Sequence, residues 1–360
     1  MADVRRAVRD CLAGGALSAA RTPASVSDAR ARPRDGSERD GVLVLVALSG
    51  GPDSLALAAA TAFEAPRAGM RAGAVIVDHG LQRASAEVAQ RAAAQARELG
   101  LDPVLVRRVD VAPGPDGPEA AARAARYAAF DDARAETGAA AILLGHTLDD
   151  QAETVLLGLA RGAGATSLQG MPAAGGPGGA RLRPLLGIRR ATTVAACADQ
   201  GLKPWTDPQN ADTAFSRVRV RERVLPVLEA ELGPGIAEAL ARTALQLRED
   251  ASALDAMTRE LVEDLVLEGV DPVTEEPYPG GGISLPVSGL AANPPAIRHR
   301  LIRLVVQAEF GRGLTRAQTL QVARLVTDWH GQGPLDLPGV AAARVGGSIV
   351  FTARGDTRAS

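Results

Sequence analysis

The sequence predicts an α/β protein in which a doubly wound, mostly parallel sheet is followed by a smaller helical and α+β appendage. Between residues 42 and 145, four apolar runs of strand length alternate with Ala-rich runs of helix length. This alternation favours parallel strands joined by crossover helices. Polar residues follow three of the four predicted strands, and ligands of doubly wound sheets bind beyond that edge. We therefore expect a Rossmann-like domain with its ligand site at the carboxyl ends of the strands.

The first predicted strand, residues 42–48, ends in a glycine-rich corner that precedes a predicted helix. The corner consists of Ser49, Gly50, Gly51, Pro52, Asp53 and Ser54. Backbone N–H groups and the positive end of the helix dipole point into such a turn, which makes it an anion site. The corner matches neither the Walker A pattern nor the dinucleotide pattern G-x-G-x-x-G. The alternative is a purely structural strand–turn–helix corner.

Two further polar clusters follow the second predicted strand, 72–77, and the fourth, 140–145. Their members are Asp78, His79, Gly145, His146, Asp149 and Asp150. The first pair forms either a simple turn or a contact with adenosine near the switch point of the sheet. The aspartates of the second cluster either cap the helix that they open or hold Mg²⁺ against phosphates, because magnesium prefers oxygen ligands. We expect Asp53 and Asp149 to be the metal ligands.

Arginines provide the remaining candidates. Arg217 and Arg221 share a face if their segment is helical. That face is either simply solvated or contacts phosphates or an RNA backbone. Arg183 either packs inside the fold or binds phosphate.

Composition narrows the possible classes of protein. The chain has 360 residues, of which 46% are hydrophobic, and a net charge of −2, so no global basicity marks a nucleic-acid binder. Cys11 and Cys197, its two cysteines, form no C-x-x-C or zinc pattern, which disfavours a disulfide framework or a cysteine metal site. No apolar stretch is long enough to span a bilayer, and residues 1–20 lack the apolar core of a signal peptide. We expect a cytoplasmic protein in a reducing compartment.

The ordered set of motifs resembles that of the tRNA(Ile)-lysidine synthetases, a family of the PP-loop superfamily of N-type ATP pyrophosphatases. The resemblance is strong over residues 40–230 and looser beyond them. The matching positions are Ser49–Ser54, Val77–Leu81, Arg123, Arg126, Tyr127, Gly145, His146, Asp149–Thr154, Arg161, Gly162, Gly164, Arg183–Leu186, Asp207, Pro208, Asn210, Arg217, Arg221 and Pro226. The sequence departs from the family pattern at Gln209, where serine or threonine is expected, and at Val218, where asparagine is expected.

The resemblance implies an adenine nucleotide alpha hydrolase-like fold, and together with the pattern of the residues it predicts three parts of the chain. Residues 1–40 form a short helix, at 4–12, and a flexible connector, at 21–40. Residues 41–222 form the PP-loop catalytic domain. Residues 223–360 form a helical linker and a small α/β domain that binds tRNA or substrate. We expect the short form of the family, because little chain follows Phe351.

The implied activity is an ATP-dependent ligation of free L-lysine to C2 of the wobble cytidine in tRNA(Ile) with a CAU anticodon. The C2 oxygen attacks the α-phosphate of ATP and pyrophosphate leaves, after which the ε-amine of lysine attacks C2 and expels AMP. ATP and Mg²⁺ are the implied cofactors and tRNA(Ile) the partner. No membrane contact is implied, and a homodimer is one option for the oligomeric state.

The resemblance also assigns the candidate residues to roles. The catalytic candidates, whose separate acid and base roles stay open, are Asp53, His146, Asp149, Asp150 and Arg126. The ATP-binding candidates are Ser49, Gly50, Gly51, Pro52, Asp53, Ser54, Asp78, His79 and Gly145. The tRNA or substrate contacts are Arg123, Tyr127, Arg183, Asp207, Asn210, Arg217 and Arg221.

Three other functions compete with this one. A PP-loop enzyme that inserts sulfur into a tRNA base needs cysteines, but Cys11 lies in the N-terminal extension and Cys197 stands alone. An adenylating synthetase that forms an amide from a small acid has no need of an RNA-binding appendage. A non-catalytic nucleotide- or RNA-binding module is disfavoured by the intact carboxylates Asp53, Asp149 and Asp150.

Overall fold

The computed structural model describes residues 1–14, 17, 41–78, 80, 85–110, 117–162, 164–207, 212–268 and 282–354. His79, Gln209, Asn210 and the predicted connector 21–40 lie outside these residues. The chain divides into two compact units, Met1–Leu247 and Arg248–Ser360. The predicted division at residue 222 stays a prediction.

The first unit is built on a six-stranded sheet. Its strands are β1 (Val42–Ala47), β2 (Met70–Asp78), β3 (Val104–Arg108), β4 (Ala141–Leu143), β5 (Ala174–Gly175) and β6 (Arg181–Leu182). Their order is β3-β2-β1-β4-β6-β5. Every described pair is parallel except β5 with β6, which is antiparallel. The prediction of a doubly wound, mostly parallel sheet is confirmed.

Nine helices belong to the described part of this unit. They are α1 (Ala2–Ala13), α2 (Pro52–Arg67), α3 (Ser85–Glu98), α4 (Pro118–Thr137), α5 (Leu148–Ala160), α6 (Ala165–Leu168), α7 (Arg190–Asp199), α8 (Ser216–Arg219) and α9 (Leu225–Leu232). A 3-10 turn covers Pro177–Gly179, and a π-helical turn covers Val220–Val224. A further helix, α10 (Ile236–Leu265), contains the division between the two units.

Apolar residues of β1 alternate between two cores, which explains why the strand has no polar face. Val44 and Val46 pack with residues of α1, α2, α3 and α7. Leu43 and Leu45 pack on the other face with Phe130 of α4. A strand covered by helices on both sides is expected to be apolar throughout.

The order of the strands creates the switch point that positions the site. The chain goes from β1 to β2 and β3 on one side, and then returns to β4 on the other side of β1. The connections that leave β1 and β4 therefore diverge, and a crevice opens beyond the carboxyl ends of these two strands.

The second unit combines an antiparallel sheet with helices. Its elements are β7 (Leu267–Glu268), β8 (Gly282–Pro286), α11 (Val287–Ala292), α12 (Pro295–Phe310), α13 (Arg316–Thr327), β9 (Leu335–Leu337), β10 (Val340–Val345) and β11 (Ser348–Ala353). The strand order is β7-β8-β11-β10-β9. Leu285, Leu301 and Phe351 lie fully buried in its core. The sequence analysis missed β7 and β8, because these short strands are defined by pairing with distant residues.

Among the described residues, no helix combines the length and the apolar character needed to cross a membrane.

Replacing Leu45 by alanine should lower the free energy of unfolding by about 2–5 kcal/mol, because the fully buried side chain leaves a cavity under the sheet. The matched change Leu159→Ala should cost less than about 0.5 kcal/mol, since Leu159 of α5 is 51% exposed. Urea denaturation followed by far-UV circular dichroism measures both. Equal shifts in the two variants would contradict the assigned core.

Candidate active site

The glycine corner joins β1 to the first turn of α2 and is held by its own side chains. The Ser49 N–H donates to Ser54 Oγ at 3.2 Å, and Ser54 Oγ donates to Gly51 O at 3.0 Å. Gly50 has φ of +85°, in the left-handed region that favours glycine. The first-turn N–H groups of α2 have no acceptor within the helix. The corner therefore presents donors and a positive dipole end to an anion.

Gly145 brings the end of β4 against this corner. A Cβ at this position would lie 3.1 Å from the backbone N and Cα of Ser54. Any larger residue would push the first turn of α2 away from β4. Gly145 thus fixes the distance between the glycine corner and the polar residues that follow β4.

A cavity of about 540 Å³ opens at this edge of the sheet. Predicted site residues that line it are Ser49, Gly51, Pro52, Asp53, Ser54, Arg126, Tyr127, Gly145, His146, Asp150 and Arg221. Arg190, Trp205 and Glu222 also line it, although the sequence analysis assigned them no role. The corner and the residues after β4 thus open into one cavity.

Three carboxylates converge on one guanidinium at the side of this cavity. Arg190 Nε lies 3.2 Å from Asp53 Oδ2, Arg190 Nη2 lies 2.7 Å from Asp150 Oδ1, and Arg190 Nη1 lies 3.4 Å from Glu153 Oε1. Although burial alone raises it, the Arg190 charge and hydrogen bonds from Thr147 hold the pKa of Asp150 below its ordinary value. Burial raises the pKa of Asp53, against the opposing effects of Thr193 and Arg190.

Glu153 is fully buried and forms ion pairs with further arginines. Arg221 Nε lies 2.7 Å from Glu153 Oε1, and Arg217 Nε lies 3.8 Å from Glu153 Oε2. Arg217 and Arg221 converge on Glu153 from α8 and the π-helical turn. Their predicted role as tRNA contacts stays a prediction, but both already compensate a buried charge.

The two adjacent aspartates have different positions. Asp150 caps its own helix, with its Oδ2 accepting the Thr147 N–H at 2.7 Å. Asp149 faces away from the cavity lining and accepts the backbone N–H of Arg190 at 2.7 Å. Asp150 therefore caps the helix that it opens, as the alternative in the sequence analysis had it, whereas Asp149 binds the first residue of α7 instead.

The carboxylates have the chemistry of a magnesium site but not its arrangement. Their oxygens are the correct donors for Mg²⁺, but the described residues include no three His, Cys, Asp or Glu side chains grouped to hold a metal. Asp53 accepts from Arg190 and Thr193, and Asp149 accepts from the start of α7. As arranged, these residues do not fit a protein-held Mg²⁺ ion, and the metal ligands stay a prediction.

Two arginines in the region of the site have no acidic partner among the described residues. Arg126 and Arg183 form no ion pair with any described residue, and Arg183 is 8% exposed. Burial and the nearby Arg123 and Arg217 lower the pKa of the Arg126 guanidinium. Tyr127 supports this group through its ring, which lies 4.8 Å from the Arg123 guanidinium carbon and 5.7 Å from that of Arg126. An uncompensated cation that lines a cavity, as Arg126 does, favours an anionic ligand.

His146 lies between the acidic and the cationic sides. Burial lowers the pKa of His146 from 6.5 to about 4; Asp150 opposes this shift, while Arg183 and Arg126 reinforce it. Its Nδ1 is buried and has no hydrogen-bond partner among the described residues. The imidazole is therefore neutral at physiological pH.

Other predicted residues lie near the site without lining the cavity. Asp78 is buried, and its Oδ1 accepts the Gly80 N–H at 3.0 Å, as in the turn alternative. Gly50, Arg123, Arg183, Asp207 and Arg217 also lie outside the lining. Their roles stay predictions, as do those of His79 and Asn210, which lie outside the described residues.

Arg190 and Trp205 are the main residues that sequence reasoning missed. A local signal existed for Arg190, because Arg189 and Arg190 stand at the positive end of α7 with no acidic residue in its first turn. Two cations at the positive end of a helix need acidic partners from other parts of the fold. Trp205 gave no comparable signal. Its backbone N–H donates to Gly50 O at 2.9 Å, and this hydrogen bond helps to fix the glycine corner.

The two cysteines have the properties of packed thiols. Burial raises the pKa of both Cys11 and Cys197 to about 11. Cys197 Sγ lies 3.3 Å from Pro52 O, beneath the glycine corner. Thiols with these pKa values remain protonated at neutral pH, which disfavours sulfur relay.

Comparisons with known proteins identify the family of the chain. Residues 30–228 match the PP-loop domain family, and residues 285–350 match the TilS substrate binding domain family. A U34-tRNA thiolase, NcsA from Methanococcus maripaludis, solved with its [4Fe-4S] cluster, is similar in structure with a TM-score of 0.52. That likeness covers 69% of this chain and 78% of the thiolase at 19% sequence identity, so it concerns the fold alone.

Curated relatives are much closer in sequence. The tRNA(Ile)-lysidine synthase of Leifsonia xyli is 64% identical over 86% of this chain and 90% of its own length. Those of Streptomyces coelicolor and Thermobifida fusca are each 52% identical, over 86% and 84% of this chain and 85% and 89% of their own lengths. From the glycine corner, the matched families and these identities, we conclude that the chain belongs to the tRNA(Ile)-lysidine synthase family of PP-loop proteins.

Proposed function

We propose that this protein joins L-lysine to C2 of the wobble cytidine in tRNA(Ile) with a CAU anticodon, with cleavage of ATP to AMP and pyrophosphate. The observation that carries the proposal is the cavity itself. The Ser49–Ser54 glycine corner, the carboxylates of Asp53 and Asp150, the neutral His146 and the unpaired Arg126 line one cavity at the switch point of a PP-loop fold. ATP and a polyanion each find a complementary surface there, in the glycine corner and at Arg126.

The first half-reaction activates the base. The triphosphate lies in the Ser49–Ser54 corner, where backbone N–H groups and the α2 dipole stabilise the negative charge that develops on the phosphates. The C2 oxygen of cytosine attacks the α-phosphate, and pyrophosphate leaves. The cytosine must leave the anticodon stack to reach this position, as bases do in enzymes that modify them.

The second half-reaction moves a proton from the attacking amine. The ε-amine of lysine forms the new bond at C2, loses a proton and expels AMP. His146 is a suitable acceptor because its imidazole is neutral and lines the cavity. Asp150 is less suitable, since Thr147 and Arg190 already donate to its two oxygens. We assign the proton acceptor role to His146.

The tRNA is held in part by the uncompensated arginines. We propose that Arg126 and Arg183 contact phosphates of the anticodon loop, with Arg123 and Tyr127 supporting Arg126. Arg217 and Arg221 are poor test positions, because removing either leaves buried Glu153 undercompensated, and breaking a buried pair costs about 3–5 kcal/mol. Mg²⁺ stays a prediction to which no step is assigned, and we propose the cytoplasm as the location because the substrate is tRNA.

Asp53→Asn should lower AMP formation by about 10²-fold or more, because its side chain lies in the first turn of α2, where the Ser49–Ser54 corner ends, and lines the cavity. The assay combines ATP, labelled lysine and CAU-anticodon tRNA, and analyses the product nucleosides. The matched control is Asp131→Asn, which also removes the partner of an arginine, Arg181, but lies outside the cavity lining. A wild-type protein that makes no lysidine would overturn the proposed function, and a fully active Asp53→Asn would overturn the assigned role.

His146→Gln should make stability less sensitive to acid. The unfolded chain binds a proton at His146 below pH 6.5, whereas the folded protein binds it only below about pH 4, so wild-type stability falls as the pH falls through this window. Between pH 7 and pH 5 the wild type should lose about 2 kcal/mol more than the variant. Urea denaturation at both pH values measures this difference, and equal losses would show that His146 is not held neutral.

Arg126→Gln should weaken tRNA binding by about tenfold and reduce the slope of log affinity against log salt by about one. Filter binding at several salt concentrations measures both quantities. The control is Arg67→Gln, an exposed arginine in the last turn of α2, at the opposite edge of the sheet. Binding that changes equally in the two variants would remove Arg126 from the tRNA contact surface.

A further inference from the structure

The carboxylate cluster of Asp53, Asp150 and Glu153 has no oxygen free of a donor. Asp53 accepts from Thr193 and Arg190, one donor on each oxygen. Asp150 accepts from Arg190 on Oδ1 and from Thr147 on Oδ2. Glu153 accepts from Arg221 on both oxygens, and from Arg190 on Oε1. An incoming cation would therefore have to replace existing hydrogen bonds.

Arg190 donates hydrogen bonds to all three carboxylates, although its position in the chain is unfavourable for a cation. It is the first residue of α7, where the helix dipole disfavours a cation by about 0.3–1 kcal/mol. Its side chain is 21% exposed and contacts carboxylates from two other helices, α2 and α5. Its backbone N–H is fixed by Asp149. These contacts hold Arg190 in place against the unfavourable helix dipole, which indicates that its location is a specific feature of the fold.

The charges around the cluster balance without any bound ion. Asp53, Asp150 and Glu153 face Arg190 and Arg221, with Arg217 at the longer distance of 3.8 Å. Without Arg190, two of the carboxylates would lose their cationic partner within hydrogen-bond distance. The uncompensated negative charge of Asp53 and Asp150 would then attract a divalent cation, because oxygen donors and negative charge are what these ions require.

We propose that Arg190 is a built-in counter-cation, which takes the place of a divalent ion among Asp53, Asp150 and Glu153. The nucleotide-free protein then has no divalent-cation site at this cluster, and an ion used with ATP is held through the nucleotide's phosphates. Arg190 is thereby a positioning residue that fixes the orientation of Asp53 beside the glycine corner. The consequence for the reaction rests on the proposed function, whereas the absence of an ion site in the free protein does not.

Manganese binding by nucleotide-free protein tests this directly, with free Mn²⁺ counted by electron paramagnetic resonance. Wild-type protein should show no stoichiometric site, and Asp150→Asn should change nothing. Arg190→Gln should bind Mn²⁺ at least about tenfold more tightly than wild type, because two carboxylates lose their cation. The matched control Arg181→Gln removes a similarly buried arginine from Asp131 and should bind no more Mn²⁺ than wild type.

Two results would overturn the proposal. One is a stoichiometric Mn²⁺ site in the wild type that Asp150→Asn removes, and this comparison decides the matter even if Arg190→Gln does not fold. The other is a folded Arg190→Gln that binds Mn²⁺ no better than Arg181→Gln. A separate titration with a non-hydrolysable ATP analogue tests the proposed nucleotide site, so its failure is distinguishable from failure of the counter-cation proposal.

Discussion

A buried network of opposite charges holds together the helices that form the site. Asp53 belongs to the first turn of α2, Asp150 and Glu153 to α5, and Arg190 to the start of α7. Helix N-termini repel one another's positive dipole ends, so three of them can meet only if acidic side chains intervene. Arg190 then balances the acids that this arrangement requires. The relative positions of the glycine corner and the residues after β4 depend on this balance.

The charged side chains around the site fall into two groups, those with and those without a partner of opposite charge. The carboxylates on one side are paired within the fold, while Arg126 and Arg183 on the other have no acidic partner among the described residues. The neutral His146 lies between the two sides. A chain with a net charge of −2 can therefore still offer a cationic surface to a polyanion, because local distribution rather than total charge decides binding.

Backbone geometry is as restrictive here as charge. The missing side chain of Gly145 lets β4 approach the first turn of α2, and the positive φ of Gly50 turns the chain into that helix. Both constraints act on the few residues between the strands and α2. The cavity is thus shaped mainly by backbone, and its specificity is left to side chains from α4, α5 and α7.

The sequence alone predicted the parallel strands β1 to β4, the ligand-binding edge of the sheet and most lining residues, because apolar periodicity and glycine–proline punctuation are local properties of the chain. It missed the short strands β5 and β6 and did not give the strand order. The family assignment also followed from the order of motifs and is confirmed by the relatives. Only the tertiary structure showed that Asp149 and Asp150 face different partners, that Arg221 is engaged by Glu153, and that Arg190 lies at the centre of the carboxylates. Likewise, β8 exists because β11 pairs with it. Contacts between residues far apart in sequence have no local signature, since their energy arises only when the fold brings the partners together.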